Sequence, residues 1–260
     1  MVGVAPRCLG VLGGMGPLAG AHFAVRVAQL TPATRDQDHI PVLLRNDPRI
    51  PDRSDAWVGG GPSPLPAMMR GIAMLQDAGA DCIAVPCNTA HLWFDQLQTA
   101  TSAKLLHIVE AVVLDLRRQG IHNGCVGVLG TRATLETGLY QRILLAGGYV
   151  PIVPAAADVL DDCVSSIAAV KGNRLGDAFA PLARAIGSLA RDGARAVALG
   201  CTELPLALPE SRRGEFDLVL TDSIDALARE AVRQFHPDTA TQPKGISCPQ
   251  PLGSAAVPLV

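Results

Sequence analysis

Short apolar runs recur along the chain, each closed by glycine or polar turn residues, and between them lie longer stretches in which apolar residues return every three or four positions. The two periods belong to buried strands and to amphipathic helices. Residues 65–78 place Met68, Ile72 and Leu75 on one helical face and stop at Gly79, the residue type that closes helices. Residues 175–190 carry Leu175, Phe179, Leu182, Ile186 and Leu189 as a similar stripe. The runs 82–85 and 196–199 are short, apolar and flanked by helical patterns, as parallel strands covered on both faces are. From Pro237 the composition turns to Pro, Gly, Ser and Thr with little periodicity, so 237–260 is expected to be a flexible tail.

A duplication organises these elements. CLGVLGGMGPLAG, from Cys8, resembles CVGVLGTRATLET, from Cys125. DAGADCIAVPCNT resembles RDGARAVALGCTE, which sets Gly79 against Gly193 and Cys87 against Cys201. LLHIVEAV, around Ile108, is echoed by LVLTDSIDAL, around Asp222. Each half reads as strand, glycine turn, helix, strand, helix, a strand ending in cysteine, then another strand and helix. The expected fold is α/β: two pseudo-twofold-related α/β domains with mostly parallel sheets and an active site in the inter-domain cleft, because open sheets bind ligands beyond the carboxyl ends of their strands. The expected domains are residues 1–106 plus 221–236 for the first half and 107–220 for the second.

A chain of 260 residues that is 48% hydrophobic but only 3% aromatic, with 26 glycines, is globular, its helices packed closely on sheets. The formal net charge of −2 offers no basic surface to nucleic acid or to an anionic membrane. No apolar run is long enough to span a bilayer. Arg7 and the short apolar stretch around it lead through glycines into the patterned region, which suggests a first strand rather than a signal peptide. Seven cysteines, an odd number without close pairing, fit a reducing compartment, so the expected location is cytoplasmic.

The stretch AVPCNTAH puts Cys87 where an apolar run ends and a polar run begins, which is where a strand presents a thiol to a cleft. Cys201 holds the matching place in the second half. Backbone N–H groups and the dipole of a following helix stabilise a thiolate, which makes each cysteine a proton acceptor or donor. Two such groups on opposite faces of one carbon can take a proton from one side and deliver one to the other, inverting a stereocentre. Burial for packing alone would have to explain two cysteines at matched positions, each beside hydroxyl, amide or carboxylate groups: Asn88 and Thr89 in one half, Thr202 and Glu203 in the other. Cys8, Cys82, Cys125, Cys163 and Cys248 lack that context.

GVLGGMGPLAG, IPDRS, PCNTAH and GCTEL together resemble the aspartate/glutamate racemase family, in particular its cofactor-independent aspartate racemase branch, over residues 8–235. The resemblance implies a two-domain α/β isomerase, a homodimer, acting on a small amino acid, aspartate first, then glutamate or a broader range. It implies Cys87 and Cys201 as the acid/base pair, with Met15, Arg53, Asn88, Thr89, Ala90 and Lys171 as substrate contacts and Thr202 beside them. By analogy within the superfamily Cys87 faces the D-enantiomer. Asn88 and Thr89 offer donors to an α-carboxylate, Arg53 a fork that can grip a carboxylate twice, and Lys171 a compact charge. Two positions depart from the family pattern: Gly20, where threonine is usual, and Arg45, where a neutral residue is.

No cofactor is expected. GGMG lacks the full dinucleotide fingerprint, with Asp36 and Asp38 before the second strand instead of after it. Lys104, Lys171 and Lys244 lie in no phosphate-binding context for a pyridoxal group. The six histidines have no zinc spacing, and His91 is expected to bond locally. Other readings of the same residues are a cysteine-dependent decarboxylase or cis-trans isomerase of a small dicarboxylic acid, and a non-catalytic amino-acid-binding protein.

Overall fold

The computed structural model describes residues 8–237. Beyond Pro237 the expected tail lies outside the described residues, with Lys244 and Cys248, as does Arg7. The first half runs β1 (Leu9–Gly13), α1 (Pro17–Leu30), β2 (Val42–Asn46), α2 (Arg53–Trp57), α3 (Leu65–Asp77), β3 (Cys82–Ala84), α4 (Phe94–Thr99), β4 (Lys104–Leu106) and α5 (Ile108–Arg118). The second runs β5 (Gly124–Leu129), α6 (Arg132–Glu136), α7 (Leu139–Ala146), β6 (Tyr149–Ile152), α8 (Ala157–Lys171), α9 (Leu175–Arg191), β7 (Ala196–Leu199), α10 (Leu204–Ala207), α11 (Glu210–Arg213), β8 (Val219–Asp222) and α12 (Ser223–Phe235). The helices foreseen at 65–78 and 175–190 are α3 and α9, and the strands foreseen at 82–85 and 196–199 are β3 and β7.

Each half contains one parallel four-stranded sheet, and the two have the same order: β2-β1-β3-β4 and β6-β5-β7-β8. The central strands are apolar throughout because helices cover both faces. On one face of the first sheet Met68, Ile72 and Leu75 of α3 meet Leu12 and Ile83. In the second, Leu182, Ile186 and Leu189 of α9 meet Val197 and Leu199, beside Ile167 and Val170 of α8. The third and most extensive core joins the halves: Phe23 and Val27 of α1, Val112 and Leu116 of α5, Val126 and Val128 of β5, Leu227 and Ala231 of α12.

That shared core arises from an exchange. Helix α5, which follows the first sheet, lies against β8 and α7, while α12, which follows the second, returns to α1, β3 and β4; the two also pack on each other. Arg26 of α1 holds Asp225 of α12 through two bonds of 2.5 and 2.8 Å. Helix starts are set by side chains: Asp52 caps α2, Thr131 caps α6 and Asp222 caps α12, each accepting from N–H groups that have no partner within the helix. Among the described residues no helix is long and apolar enough to cross a membrane.

Candidate active site

Strands β3 and β7 occupy equivalent places in the two sheets, so the loops leaving their carboxyl ends both open onto the cleft between the halves. Cys87 and Cys201 stand on those loops, each 5% exposed, and both line one narrow pocket with Met15, Asp52, Arg53, Thr131 and Glu203. That inner pocket has a free volume of about 10 Å³, about the room of one water molecule. It shares Asp52, Arg53, Lys171 and Glu203 with an outer chamber of about 340 Å³ whose remaining walls are largely apolar, including Pro17, Leu18, Ile50, Val170 and Leu206. The thiols therefore sit at the floor of a stepped cleft, with four charged residues at the step.

Local sequence explains the approach of the two floors. Gly14, in the turn after β1, has φ +91°, and a Cβ there would meet the Asp47 carbonyl oxygen at 2.2 Å, so the turn that carries Met15 admits glycine alone. Gly200, before Cys201, leaves room for the Tyr140 ring, which a Cβ would meet at 2.9 Å. Tyr140 reaches past it to donate a 2.7 Å hydrogen bond to Asn88 Oδ1, while Asn88 Nδ2 donates to Ser223 Oγ at 3.0 Å. Thr89 Oγ1 lies 3.1 and 3.0 Å from the hydroxyls of Thr131 and Thr134. The side chains of Asn88 and Thr89 thus fasten the Cys87 loop to the second half, and what they offer a ligand is chiefly backbone at the start of the 3₁₀ turn Thr89–Trp93.

Charge divides the site. Arg53 is 8% exposed; burial works against its charge, but the Cys87 sulfur beside it, Asp52 and Glu203 outweigh this and raise its pKa. Its Nη1 donates to the Pro51 carbonyl at 3.0 Å, and its Nε has no hydrogen-bond partner among the described residues. A buried guanidinium that lines a pocket and has a donor still unmet is suited to a carboxylate. At the other thiol, Cys201 Sγ donates to Glu203 Oε2 at 3.0 Å, and the Thr202 hydroxyl donates to the same oxygen at 3.3 Å. Burial first, then the Glu203 carboxylate, hold the Cys201 pKa well above the ordinary thiol value. The surroundings of Cys201 thus favour its protonated form.

Lys171, last residue of α8, lies 3.8 Å from Asp52, so an ion pair spans the two lips of the cleft. Thr202 and Met15 are buried in the inner pocket lining. Ala90 is buried within the 3₁₀ turn and lines neither chamber. Gly20 packs inside α1 against Asn46, and Arg45 pairs with Asp47 at 3.1 Å and meets the Met74 sulfur; neither lines the cleft. Thr131, Asp52 and Ser54 also line the inner pocket without having been singled out in the sequence. The duplication held the signal for Thr131, which takes the place of Gly14 in the second half.

The chain is similar to known proteins. The family model for Asp/Glu/hydantoin racemases matches residues 12–231. The broad specificity amino-acid racemase RacX of Bacillus subtilis (strain 168) is 31% identical over 144 residues, 54% of this chain and 61% of that protein. The glutamate racemase of Aquifex pyrophilus is 29% identical over 157 residues, 59% of this chain and 58% of that protein. The chain thus spans about three fifths of the length of each of these two relatives. Among solved structures, the aspartate racemase of Picrophilus torridus superposes with a TM-score of 0.78 at 32% identity, covering 88% of this chain and 94% of that one.

Proposed function

We propose, from the premise that the chain belongs to the Asp/Glu/hydantoin racemase family, that it is a cofactor-independent amino-acid racemase that interconverts L- and D-aspartate with Cys87 and Cys201 as its two bases. The observation that carries the reading is that both cysteines line one pocket from equivalent strand ends, with a cation beside one and a carboxylate beside the other.

In this reading the amino acid enters through the outer chamber and widens the inner pocket, its α-carbon coming between the thiols. The α-carboxylate is held by backbone N–H groups at the start of the 3₁₀ turn, and the side-chain carboxylate by Arg53, whose Nε is unmet, and by Lys171. In one direction Cys87 takes the α-proton and the Cys201 thiol supplies one from the opposite face; in the other the roles exchange. Glu203 keeps the Cys201 proton in place until it is needed. Aspartate is chosen because the two cations at the step, Arg53 and Lys171, suit a substrate that carries a side-chain carboxylate, and because the Picrophilus torridus aspartate racemase superposes over most of both chains. The enzyme is read as a cytoplasmic homodimer; light scattering of the purified protein tests the assembly.

The test of the function is a chiral screen of all amino acids with the purified protein and no added cofactor. Aspartate reaching equal amounts of both enantiomers supports the reading. An activity lost on dialysis against chelator and hydroxylamine and restored by metal or pyridoxal phosphate overturns the cofactor-free mechanism.

A further inference from the structure

His91 is buried, and every polar atom of its ring faces a backbone group rather than the pocket. The Ile108 N–H, first of α5 and so without an acceptor inside its helix, donates to His91 Nε2 at 3.1 Å. The Leu106 carbonyl also lies near Nε2 but at 3.4 Å, so the shorter bond from Ile108 assigns the lone pair to Nε2. The neutral ring has its proton on Nδ1, which lies 2.9 Å from the Cys87 carbonyl oxygen and donates to it. Burial holds the ring in this neutral form, with a pKa lowered to about 4. Phe94 stacks on the ring at 5.6 Å and His107 meets its edge at 5.0 Å, so it has no freedom to turn.

The carbonyl it holds belongs to a thiol-bearing residue. The Cys87 N–H is already fixed to the Val85 carbonyl at 2.7 Å, so the His91 bond secures the other end of the same residue. The second half does this differently: the residue four places after Cys201 is Pro205, and the Cys201 carbonyl accepts instead from the backbone N–H of Leu204 at 3.0 Å, while its sulfur is bonded to Glu203.

We propose that His91 is a positioning residue for Cys87 alone: Nδ1–H fixes the Cys87 carbonyl, and with it the direction in which the thiol leaves the backbone, while Nε2 ties that loop to the start of α5. The inference rests on the two-thiol reading, and its test separates the two. The α-hydrogen of L- and D-aspartate, or of whichever amino acid the chiral screen finds turned over, is followed by proton NMR in heavy water in two backgrounds. In Cys201→Ser, Cys87 works alone; in Cys87→Ser, Cys201 does. Absence of exchange in both backgrounds refutes the two-thiol reading and this inference with it.

With exchange established, His91→Gln keeps an acceptor for the Ile108 N–H but no donor toward Cys87. It is expected to slow exchange about 100-fold in the Cys201→Ser background, the scale of an error of about 1 Å in placing a reacting group, and less than about twofold in the Cys87→Ser background. His91→Asn, whose amide nitrogen falls where Nδ1 was, is expected to restore most of the exchange by Cys87. Equal slowing in both backgrounds would make His91 a fold residue and overturn the proposal, as would no slowing in either. Should His91→Gln fail to fold, His91→Asn decides: exchange by Cys87 that survives the lost Ile108 bond supports the proposal, and a loss shared equally by both thiols overturns it.

Discussion

The Cys87 and Cys201 loops leave equivalent strands of two sheets with one strand order, yet they differ in nearly every neighbour. Cys87 follows a proline, is held at both ends of its backbone, and has the buried Arg53 cation beside it. Cys201 follows a glycine that lets Tyr140 pass, is held by its carbonyl to the Leu204 N–H and by its sulfur, and faces a carboxylate. Duplication brought two thiols to one cleft, and divergence around them gave one a cation as neighbour and the other a carboxylate. In the proposed two-base reaction each thiol serves in turn as acid and as base, so both one-protonated states have to be reached, and unlike neighbours set how far apart in energy those two states lie.

The comparison breaks most completely if either sulfur is removed. Cys87→Ser and Cys201→Ser are each expected to lower racemisation about 1000-fold or more, while leaving slow α-hydrogen exchange of one enantiomer, the opposite one in each variant. Chiral chromatography and proton NMR in heavy water read the two effects, and full activity in either variant would show the thiols to be unequal in role as well as in setting. Next comes the cation. Arg53→Ala is expected to cost aspartate turnover about 10- to 100-fold in kcat/KM by leaving a substrate carboxylate unpaired in a closed cleft, with far less effect on alanine. Lys171→Ala should follow in the same direction but more weakly, since its side chain is 42% exposed. Equal losses for both substrates would show that neither residue reads the side chain.

Glu203→Gln sharpens the contrast instead of destroying it. Burial would still raise the Cys201 pKa, but the carboxylate contribution would be gone, so the pKa falls toward the ordinary thiol value. In the direction where Cys201 takes the proton, the rise of rate with pH should move to lower pH; an unmoved profile would mean that Glu203 does not govern the Cys201 proton. The smallest effect at neutral pH belongs to the histidines of the Cys87 side. Burial lowers His91 to about 4 and His107 to about 3, from an ordinary value of 6.5. Below that value the unfolded chain binds more protons than the folded one, so these residues draw stability down as pH falls from 6.5 to about 4 and about 3. Amide protection, measured against the intrinsic exchange rate at each pH, should therefore fall between residues 88 and 108 on mild acidification before it does around residues 201–205.

Much of this frame was legible in the chain. The stripes at 65–78 and 175–190 are the helices α3 and α9 to within a residue, and the matching of DAGADCIAVPCNT to RDGARAVALGCTE placed both thiols at strand ends. Periodicity reports which face a segment buries, and repetition reports which places are equivalent. Neither reports what a polar side chain does once segments far apart in sequence come together. Asn88 and Thr89 suggested ligand donors, but Tyr140, Ser223, Thr131 and Thr134 occupy their side chains from 42 to 135 residues away. Asp52 and Ser54 reach the pocket only because α2 begins at its rim.

The exchanged helices have a consequence for how the chain is made. The face of α1 that carries Phe23 and Val27 is covered by α12, which ends at Phe235 and leaves the ribosome among the last of the described residues. The N-terminal sheet can thus pair its strands early, but it must wait with an open apolar flank until the C-terminal helix arrives to close it. The two halves look like units that could mature one after the other, yet neither is finished until both have been synthesised.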